Sequence, residues 1–390
     1  MKKALIFLLL LLTTGCWDML DIDKRAMITA LGIDQYNVNE AEQENSEPLM
    51  GAAERPRYLI SIEIPNLSAV GGTGSQEAGG SQSASYTLRT TATSLAHATT
   101  LFDLRLWRRP FYGHTKVVVV GEETARDGLK DIFNFFHHRQ DINRGMKICI
   151  AKGEAREVLD IKPVLEGLTG VYLSNIIEMA GISGRLLTTD FGEAARDLFT
   201  TGNTLLPRVV PADTEATLGG SALIKDWKMV GWLGEIETLG SMLVLGKIRG
   251  GKILVGSPAS QYGERTFDIR NTTCSITTEV IDSKVHFRIK LFLEGDIFEQ
   301  IGGSMHTVDS GDWIGPVQEL LNVEIEKIVR NTIEKMQSFK ADCLHFGKVL
   351  SAQHPKYWAA NHERWNEEIF PNIELDVNAN VVIRRIGVAF

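Results

Sequence analysis

The sequence predicts an α+β fold, in which a mixed α/β domain is followed by antiparallel sheets with a long covering helix. In the first half, short apolar runs typical of strands alternate with helical runs. In the second half, paired strand-like runs precede one long amphipathic helix and a final strand. The 390 residues are 44% hydrophobic, with 36 glycines and 11 prolines, which indicates a folded chain large enough for two or three domains.

The N-terminus has the pattern of a lipoprotein signal peptide over residues 1–15. Lys2 and Lys3 supply the positive region, and residues 4–12 form an apolar run that is too short to span a bilayer. Two threonines and a glycine then precede Cys16, as small residues precede the cysteine of a lipoprotein processing site. We therefore predict that Cys16 is the first mature residue and carries diacylglycerol on its sulfur and an acyl chain on its nitrogen. The alternative is a plain secretory signal with an incidental cysteine.

The predicted lipid on Cys16 is the main membrane attachment that the sequence indicates. Two acyl chains anchor a protein stably, whereas one chain gives marginal binding. The formal net charge is −8, and removal of the two lysines in residues 1–15 makes it −10, which argues against a broad nucleic-acid footprint. No basic patch and no later run of 18 apolar residues is apparent, and an acidic body does not adhere by itself to anionic lipid.

The first half is predicted to alternate strands and helices. The predicted strands are 27–33, 58–64, 114–120 and 146–151, and the predicted helices are 93–106, 125–136 and a mainly helical stretch over 160–205. The alternation in 58–64 places Ser61 and Glu63 on a face toward solvent. Residues 35–56 and 71–83 lack an apolar period and are predicted to be loops.

The second half is predicted to begin with three hairpins. Their turns are Asp226-Trp227, Gly250-Gly251 and Asp282-Ser283, between strands at 221–224 and 229–233, 242–248 and 252–255, and 272–281 and 285–293. The last strand alternates apolar and polar residues, which is typical of a sheet with one solvated face. A helix over 313–339, a short helix near 361–368 and a strand over 373–384 complete a layer in which the long helix covers the sheet.

A domain boundary is predicted between residues 203 and 216. Pro207 follows Leu205 and Leu206 there, and proline tends to end helices because it restricts the preceding residue. The predicted units are the signal peptide at 1–15, an N-terminal domain at 16–205, and a C-terminal domain at 216–390 that divides into subdomains at about 216–262 and 263–390.

No motif for catalysis or for cofactor binding occurs in the sequence. It contains no phosphate-binding loop, nucleophile elbow, HExxH or CxxC. One cluster of metal-ligand residue types lacks the paired spacing of zinc sites, and it comprises Asp342, Cys343, His345, His354 and His362. We therefore predict no enzyme activity, no cofactor and no metal.

Trp358 and Trp365 form a candidate contact pair. They are seven residues apart, close to two helical turns, so both can face one way. They pack into the core in one interpretation and form an aromatic patch for a partner in the other.

Several stretches resemble the Ger(x)C family of spore germination lipoproteins. The matching residues are Gly15-Cys16-Trp17-Asp18, Ile22, Ala30-Leu31-Gly32-Ile33-Asp34, the run from Gly113 to Leu129, Gly220-Ser221-Ala222-Leu223, Met229-Val230-Gly231, Gln337, Ala341-Asp342, Phe346-Gly347, Trp358, Trp365, Phe370-Pro371 and Arg384-Arg385-Ile386-Gly387. Each stretch is short, but together they span essentially the whole mature chain, which makes the resemblance specific.

The resemblance implies the non-catalytic C subunit of a GerA-type germinant receptor. Such receptors pair this lipoprotein with two polytopic membrane subunits, A and B, in the inner membrane of the dormant spore, and they respond to nutrients such as amino acids or sugars. The lipoprotein is expected on the extracytoplasmic face and is needed for receptor assembly or signalling. The implied fold is mixed α/β in three packed parts, two of them from the second half.

Two other classes of function remain open from the residues alone. A solute-binding lipoprotein that feeds a transporter would have two βαβ lobes joined by a hinge, and the predicted antiparallel hairpins after residue 219 argue against it. An extracytoplasmic hydrolase, for example on peptidoglycan, would need a carboxylate pair that cannot be picked out among 49 acidic residues.

Overall fold

The structure, a computed structural model, describes residues 24–37, 56–66, 83–257, 259–282, 284–302 and 311–386. The strands are β1 (Arg25–Met27), β2 (Ala30–Gln35), β3 (Tyr58–Pro65), β4 (Ser85–Ala92), β5 (Arg109–Phe111), β6 (Val117–Gly121), β7 (Lys147–Ala151), β8 (Thr204–Pro211), β9 (Ala216–Lys225), β10 (Lys228–Leu233), β11 (Lys252–Gly256), β12 (Glu264–Ile281), β13 (Lys284–Ile301) and β14 (Glu374–Ile386). The α-helices are α1 (Leu95–Arg105), α2 (Glu122–Asp127), α3 (Lys130–His137), α4 (Ala155–Leu159), α5 (Thr169–Ala180), α6 (Phe191–Thr201), α7 (Glu235–Leu245), α8 (Ile314–Ser338), α9 (Phe346–Gln353) and α10 (Pro355–Asn361). Shorter helical turns are Tyr112–His114, Gly181–Ser183, Gly311–Trp313, His362–Arg364, Trp365–Ile369 and Phe370–Asn372.

The larger sheet has eight strands in the order β10-β9-β8-β7-β6-β2-β3-β4. Its centre is parallel, because β6 pairs with β2 and β7, and β7 pairs with β8. The pairs toward both edges are antiparallel. Val117–Val120 have no exposed surface, as expected for a central strand that is covered on both faces.

Two details of the first half differ from the sequence prediction. The strand at 58–64 is confirmed as β3, but its solvent face is wrong, because Ser61 and Glu63 are fully buried. The N-terminus of α5 lies against this face and donates backbone hydrogen bonds to Glu63. The helix predicted over 125–136 is two helices, α2 and α3, which are separated at Gly128 with a φ of 150°.

The smaller sheet has four strands in the order β11-β12-β13-β14. The predicted hairpin around Asp282 is confirmed as β12 and β13, each 18 residues long. The predicted long helix is confirmed as α8, which follows β13 and leads to β14, so that β14 pairs in parallel with β13. The buried face of α8 packs on the sheet, while the other face of β13 carries polar residues. In place of the short helix predicted near 361–368, the structure has the end of α10, a 3-10 turn at His362–Arg364 and a π-helical turn at Trp365–Ile369.

The hairpin predicted around Gly250-Gly251 is wrong in its first arm. Residues 242–245 belong to helix α7, and β11 pairs with β12 instead. Seven consecutive residues of α7, from 238 to 244, are buried, so this part of the helix has no solvated side and its sequence period does not distinguish it from a buried strand. Gly246 ends the helix in the left-handed conformation, with a φ of 66°.

The eight-stranded sheet continues across the predicted domain boundary. Strand β8 contains Pro207 and pairs with β9, which in turn pairs with β10 in the predicted hairpin around Asp226 and Trp227. Both turn residues have positive φ, at 48° and 69°, as a tight hairpin requires. The division into domains stays a prediction, and the hydrogen bonds place residues 216–233 in the sheet of the first half. Within the described ranges, no helix is both long and apolar enough to cross a bilayer.

Candidate functional site

The predicted lipidation residue, Cys16, lies outside the described residues, so its modification stays a prediction. The first described residue is Lys24, which immediately precedes β1.

The two candidate tryptophans lie against each other. Their ring centroids are 5.6 Å apart and their planes are inclined by 63°. Trp365 is only 4% exposed and belongs to the hydrophobic core of the second half, which favours the core-packing interpretation for this residue. Trp358 is partly buried at the edge of the same core. Contact of Trp358 with a partner stays a prediction.

Asp342 accepts hydrogen bonds from the turn that packs against the two tryptophan rings. One of its carboxylate oxygens accepts the backbone N–H of Phe346 at 3.0 Å, and the other accepts the N–H of Gly347 at 2.7 Å and the indole Nε1–H of Trp365 at 2.9 Å. A side chain at Gly347 would place its Cβ 2.8 Å from the Trp358 ring, so only glycine fits. These family-matching residues therefore form one packing unit.

Two other members of the metal-ligand cluster, Cys343 and His354, point to separate backbone carbonyls. Cys343 donates its thiol to the carbonyl of Ile224 at 3.4 Å, and a ring nitrogen of His354 lies 3.0 Å from the carbonyl of Thr278. In the part of the chain that the structure describes, no three His, Cys, Asp or Glu side chains are grouped so that they could hold a metal ion.

Asp197 of α6 connects the first half to the second. Its carboxylate oxygens lie 3.3 Å from His345 Nε2 and 3.3 Å from Lys348 Nζ. Burial raises the pKa of Asp197, but its hydrogen bond to His345 and the charges of both partners hold the pKa below its ordinary value. The sequence gives no signal for this contact, because the residues are about 150 positions apart.

A polar cleft of about 370 Å³ lies at the carboxyl ends of the central strands. Asp34, at the end of β2, accepts the backbone N–H groups of Ala155 at 2.6 Å and Arg156 at 2.8 Å. It thereby caps α4, which begins just after β7. Burial raises the pKa of Asp34 to about 6 against the effect of these hydrogen bonds. A Cβ at Gly121 would lie 2.2 Å from Asp34 Oδ1, so this close approach needs glycine.

The carboxylates around this cleft mostly have partners within the protein. Glu122 accepts hydrogen bonds from Arg126 and from the indole of Trp232 at 3.1 Å, and Glu154 accepts one from Arg156 at 2.5 Å. These hydrogen bonds connect residues at the ends of β2, β6 and β10. The carboxylates of the cleft therefore hold these elements together instead of facing solvent without partners. The sequence gives a signal for this site, because Asp34 is an acidic residue that directly follows the strand predicted over 27–33. It also ends a family-matching stretch.

The fold and these sites define a class of protein. It is an α+β protein in which a mixed eight-stranded sheet and a helix-covered four-stranded sheet share buried contacts, and its family-matching residues act in packing and capping. The profile described as "Spore germination protein N-terminal domain" matches residues 18–211, and the profile described as "Spore germination B3/ GerAC like, C-terminal" matches residues 219–387. The chain belongs to the Ger(x)C family of spore germination proteins.

Relatives from Bacillus subtilis (strain 168) match over almost their whole length. Spore germination protein YndF is 26% identical over 98% of this chain and 96% of its own length. Spore germination protein KC is 21% identical over 99% and 96%, and spore germination protein B3 is 22% identical over 99% and 98%. The end-to-end coverage agrees with the resemblance that the sequence motifs predicted.

A solved structure shares the fold. The crystal structure of the GerBC protein superposes with a TM-score of 0.57 at 20% identity, and the match covers 83% of this chain and 93% of that chain. The predicted α+β class is confirmed by this likeness and by the two sheets described above.

Proposed function

We propose that this chain is the lipid-anchored, non-catalytic C subunit of a nutrient germinant receptor and is needed for receptor assembly or signalling. The match of both germination-protein profiles in one chain carries this proposal. The polytopic A and B subunits of the receptor are its proposed partners, and the extracytoplasmic face of the inner spore membrane is its proposed location.

The structure adds support for an assembly role. The buried acidic residues Asp34, Asp197 and Asp342 accept hydrogen bonds or form ion pairs within the protein itself. A subunit whose polar residues hold its own elements together can present a rigid surface to partners. The smaller sheet is antiparallel in two of its three strand pairs, which argues against the second α/β lobe of a solute-binding lipoprotein.

The anchor is tested by Cys16→Ala in sporulating cells. We expect the variant protein to leave the membrane fraction and nutrient-triggered germination to fall, because two acyl chains supply the stable part of the attachment. Cys274→Ala is the matched control, since this partly buried thiol is unpaired and should be dispensable. Normal germination with an unanchored protein would contradict the anchor's role.

The partners are tested by crosslinking in spore membranes with mass mapping of the linked peptides. We expect links between this chain and the A and B subunits of its receptor. Links only to unrelated membrane proteins, in spores that germinate normally, would contradict the proposed assembly.

A further inference from the structure

One surface of this acidic protein combines exposed apolar side chains with several cations. We call it the basic–aromatic patch, and it consists of Lys24, Arg25, Leu104, Arg105, Trp107, Arg108 and Arg109. Trp107 is 81% exposed and Leu104 is 76% exposed, so two large apolar side chains close in sequence are open to solvent. The guanidinium carbon of Arg108 lies 4.3 Å from the centroid of the Trp107 ring. Arginine beside an exposed tryptophan is typical of groups that lie at a membrane–water interface.

The strand pairing brings the patch to the point where the chain enters the fold. Strands β1 and β5 pair in parallel, with Arg25 opposite Arg109. Because the pair is parallel, the N-terminal ends of β1 and β5 lie at the same end of this two-stranded sheet. Lys24 and Arg25, the first described residues after the stretch that contains Cys16, therefore lie beside Arg108 and Arg109. The Arg25 guanidinium also lies 4.5 Å from the centroid of the Phe111 ring, which ties the two strands together.

The number of residues between Cys16 and Lys24 limits how far this end of the strand pair can be from the anchor. Eight residue steps separate Cys16 from Lys24, so the connection spans at most about 29 Å even when it is fully extended. A folded chain of this size has a radius of gyration of roughly 20 Å, so its diameter exceeds the reach of the connection. The end of the strand pair that carries the patch is therefore the part of the body held nearest to the anchored lipid.

We propose that the basic–aromatic patch docks on the surface of an anionic lipid bilayer and orients the body on the membrane. This inference rests on the proposed acylation of Cys16. Trp107 and Leu104 enter the headgroup region, and the arginines and Lys24 contact anionic headgroups. The sequence before Lys24 contains Asp18, Asp21 and Asp23, so we expect docking to depend on the apolar side chains as well as on the cations.

The test uses the full lipid-modified chain in vesicles that contain brominated phospholipids, which quench the fluorescence of tryptophans in contact with them. Trp17, next to the acylated cysteine, reports the anchor, and Trp107 reports the patch. With two tryptophans in reach of the lipid, Trp107→Phe should remove about half of the quenching and leave the Trp17 share. A Phe298→Trp variant is the matched control, because Phe298 is 60% exposed and lies in the other sheet, where Lys252 Nζ is 3.8 Å from the centroid of its ring. The added tryptophan should stay unquenched.

The role of charge is tested by Lys24→Glu combined with Arg109→Glu. In vesicles with anionic lipid, the Trp107 share of quenching should fall severalfold, and 1 M salt should reduce it in the unmodified chain because salt screens surface charge. The control is Lys130→Glu combined with Lys356→Glu, which changes the net charge equally at exposed positions outside the patch.

The outcomes separate the patch from the anchor. Equal quenching of the unmodified chain and Trp107→Phe, with Trp17 still quenched, would overturn docking and leave the anchor intact. Absence of quenching at every tryptophan would overturn the anchor and the docking that rests on it. Crosslinking of position 107 to a polytopic subunit, without quenching by lipid, would assign the patch to a protein partner and overturn lipid docking.

Discussion

Two buried carboxyl groups, Glu63 and Asp34, hold the first turns of separate helices against the larger sheet. Glu63 accepts the backbone N–H groups of Thr169 at 2.6 Å and Gly170 at 2.8 Å, and the hydroxyl of Thr29 at 2.6 Å. Asp34 does the same for α4. Each acid lies on a strand and caps a helix that is about 100 residues distant, so each fixes the position of a helix relative to the sheet.

Glu63→Gln should destabilise the protein by about 1–3 kcal/mol, because an amide NH₂ group replaces one accepting oxygen and leaves a buried donor without an acceptor. The free energy of unfolding from urea titration measures this loss. Glu334→Gln, on the exposed side of α8, is the control and should change it by less than about 0.5 kcal/mol. Equal effects at both positions would contradict the capping role of Glu63.

Asp34 should make stability depend on pH between about 4 and 7. Its folded-state pKa of about 6 is above the ordinary value of 3.8. A raised pKa means that the protonated form is favoured in the fold, so the contribution is full below about pH 4 and is lost as the pH rises through 6. Relative to Asp34→Asn, the unmodified protein should lose about 1–3 kcal/mol over this range. Parallel pH curves for the two proteins would contradict the raised pKa.

The sequence could predict that Asp34 follows a buried strand, but not that Glu63 is buried. The alternation along β3 predicts a solvent face, and only the tertiary placement of α5 covers it. A capping partner about 100 residues away leaves no local signal, because its hydrogen-bond donors are backbone N–H groups that every sequence supplies.

At the scale of elements, helices α7 and α8 approach closely at Gly240. A Cβ at this position would lie 2.2 Å from Thr332 Oγ1 and 3.1 Å from the carbonyl oxygen of Ile328. Thr332 is fully buried and its hydroxyl also reaches the carbonyl of Glu237 at 3.3 Å. The contact therefore joins the helix that follows the larger sheet to the helix that covers the smaller one.

Gly240→Ala should destabilise the protein by about 1–3 kcal/mol, because the added methyl group must displace backbone or a buried threonine. Gly315→Ala is a matched control within α8, since a Cβ there meets no atom within 4 Å. Alanine at 315 should leave the free energy of unfolding unchanged or raise it by about 0.5 kcal/mol. Thermal and urea unfolding of both variants would test the pair, and a neutral Gly240→Ala would contradict close helix packing.

Elements with a solvated face were predictable, whereas helix α7, which is buried on all sides over residues 238–244, was not. Helix α8 and strand β13 each show an apolar stripe at the expected period, so both were found. Helix α7 is buried over seven successive residues, and without a polar side the helical and strand periods cannot be distinguished.

At the scale of the whole molecule, the halves share both sheet and core. Leu206 of β8 and Ile224 of β9 lie in the same hydrophobic cluster, and Leu205 and Leu223 lie in the cluster of the smaller sheet. The motifs predicted the family from end to end, but they could not predict this sharing. Proline at 207 indicated a break, yet in the structure it lies in a strand between β7 and β9.

A fragment that ends at residue 233 should fold better than one that ends at residue 211. The shorter fragment keeps β8 but removes β9 and β10, so it exposes an unpaired strand and part of the first core. We expect it to aggregate or to unfold at lower urea concentration, which light scattering and circular dichroism would measure. Equal solubility and stability of the two fragments would contradict the shared sheet.

The strand order also determines when each part of the chain can fold during synthesis. The hydrogen bond from Thr115 to Ile28 closes a separation of 87 residues, whereas β12 and β13 meet across the tight turn at Asp282. Hairpins form within about 1–10 μs, while distant pairs must first close long loops. Strand β2 can pair first with β3, but its other edge stays unpaired until β6 has been made. A chaperone that shields this open edge of β2 during synthesis would therefore benefit the chain.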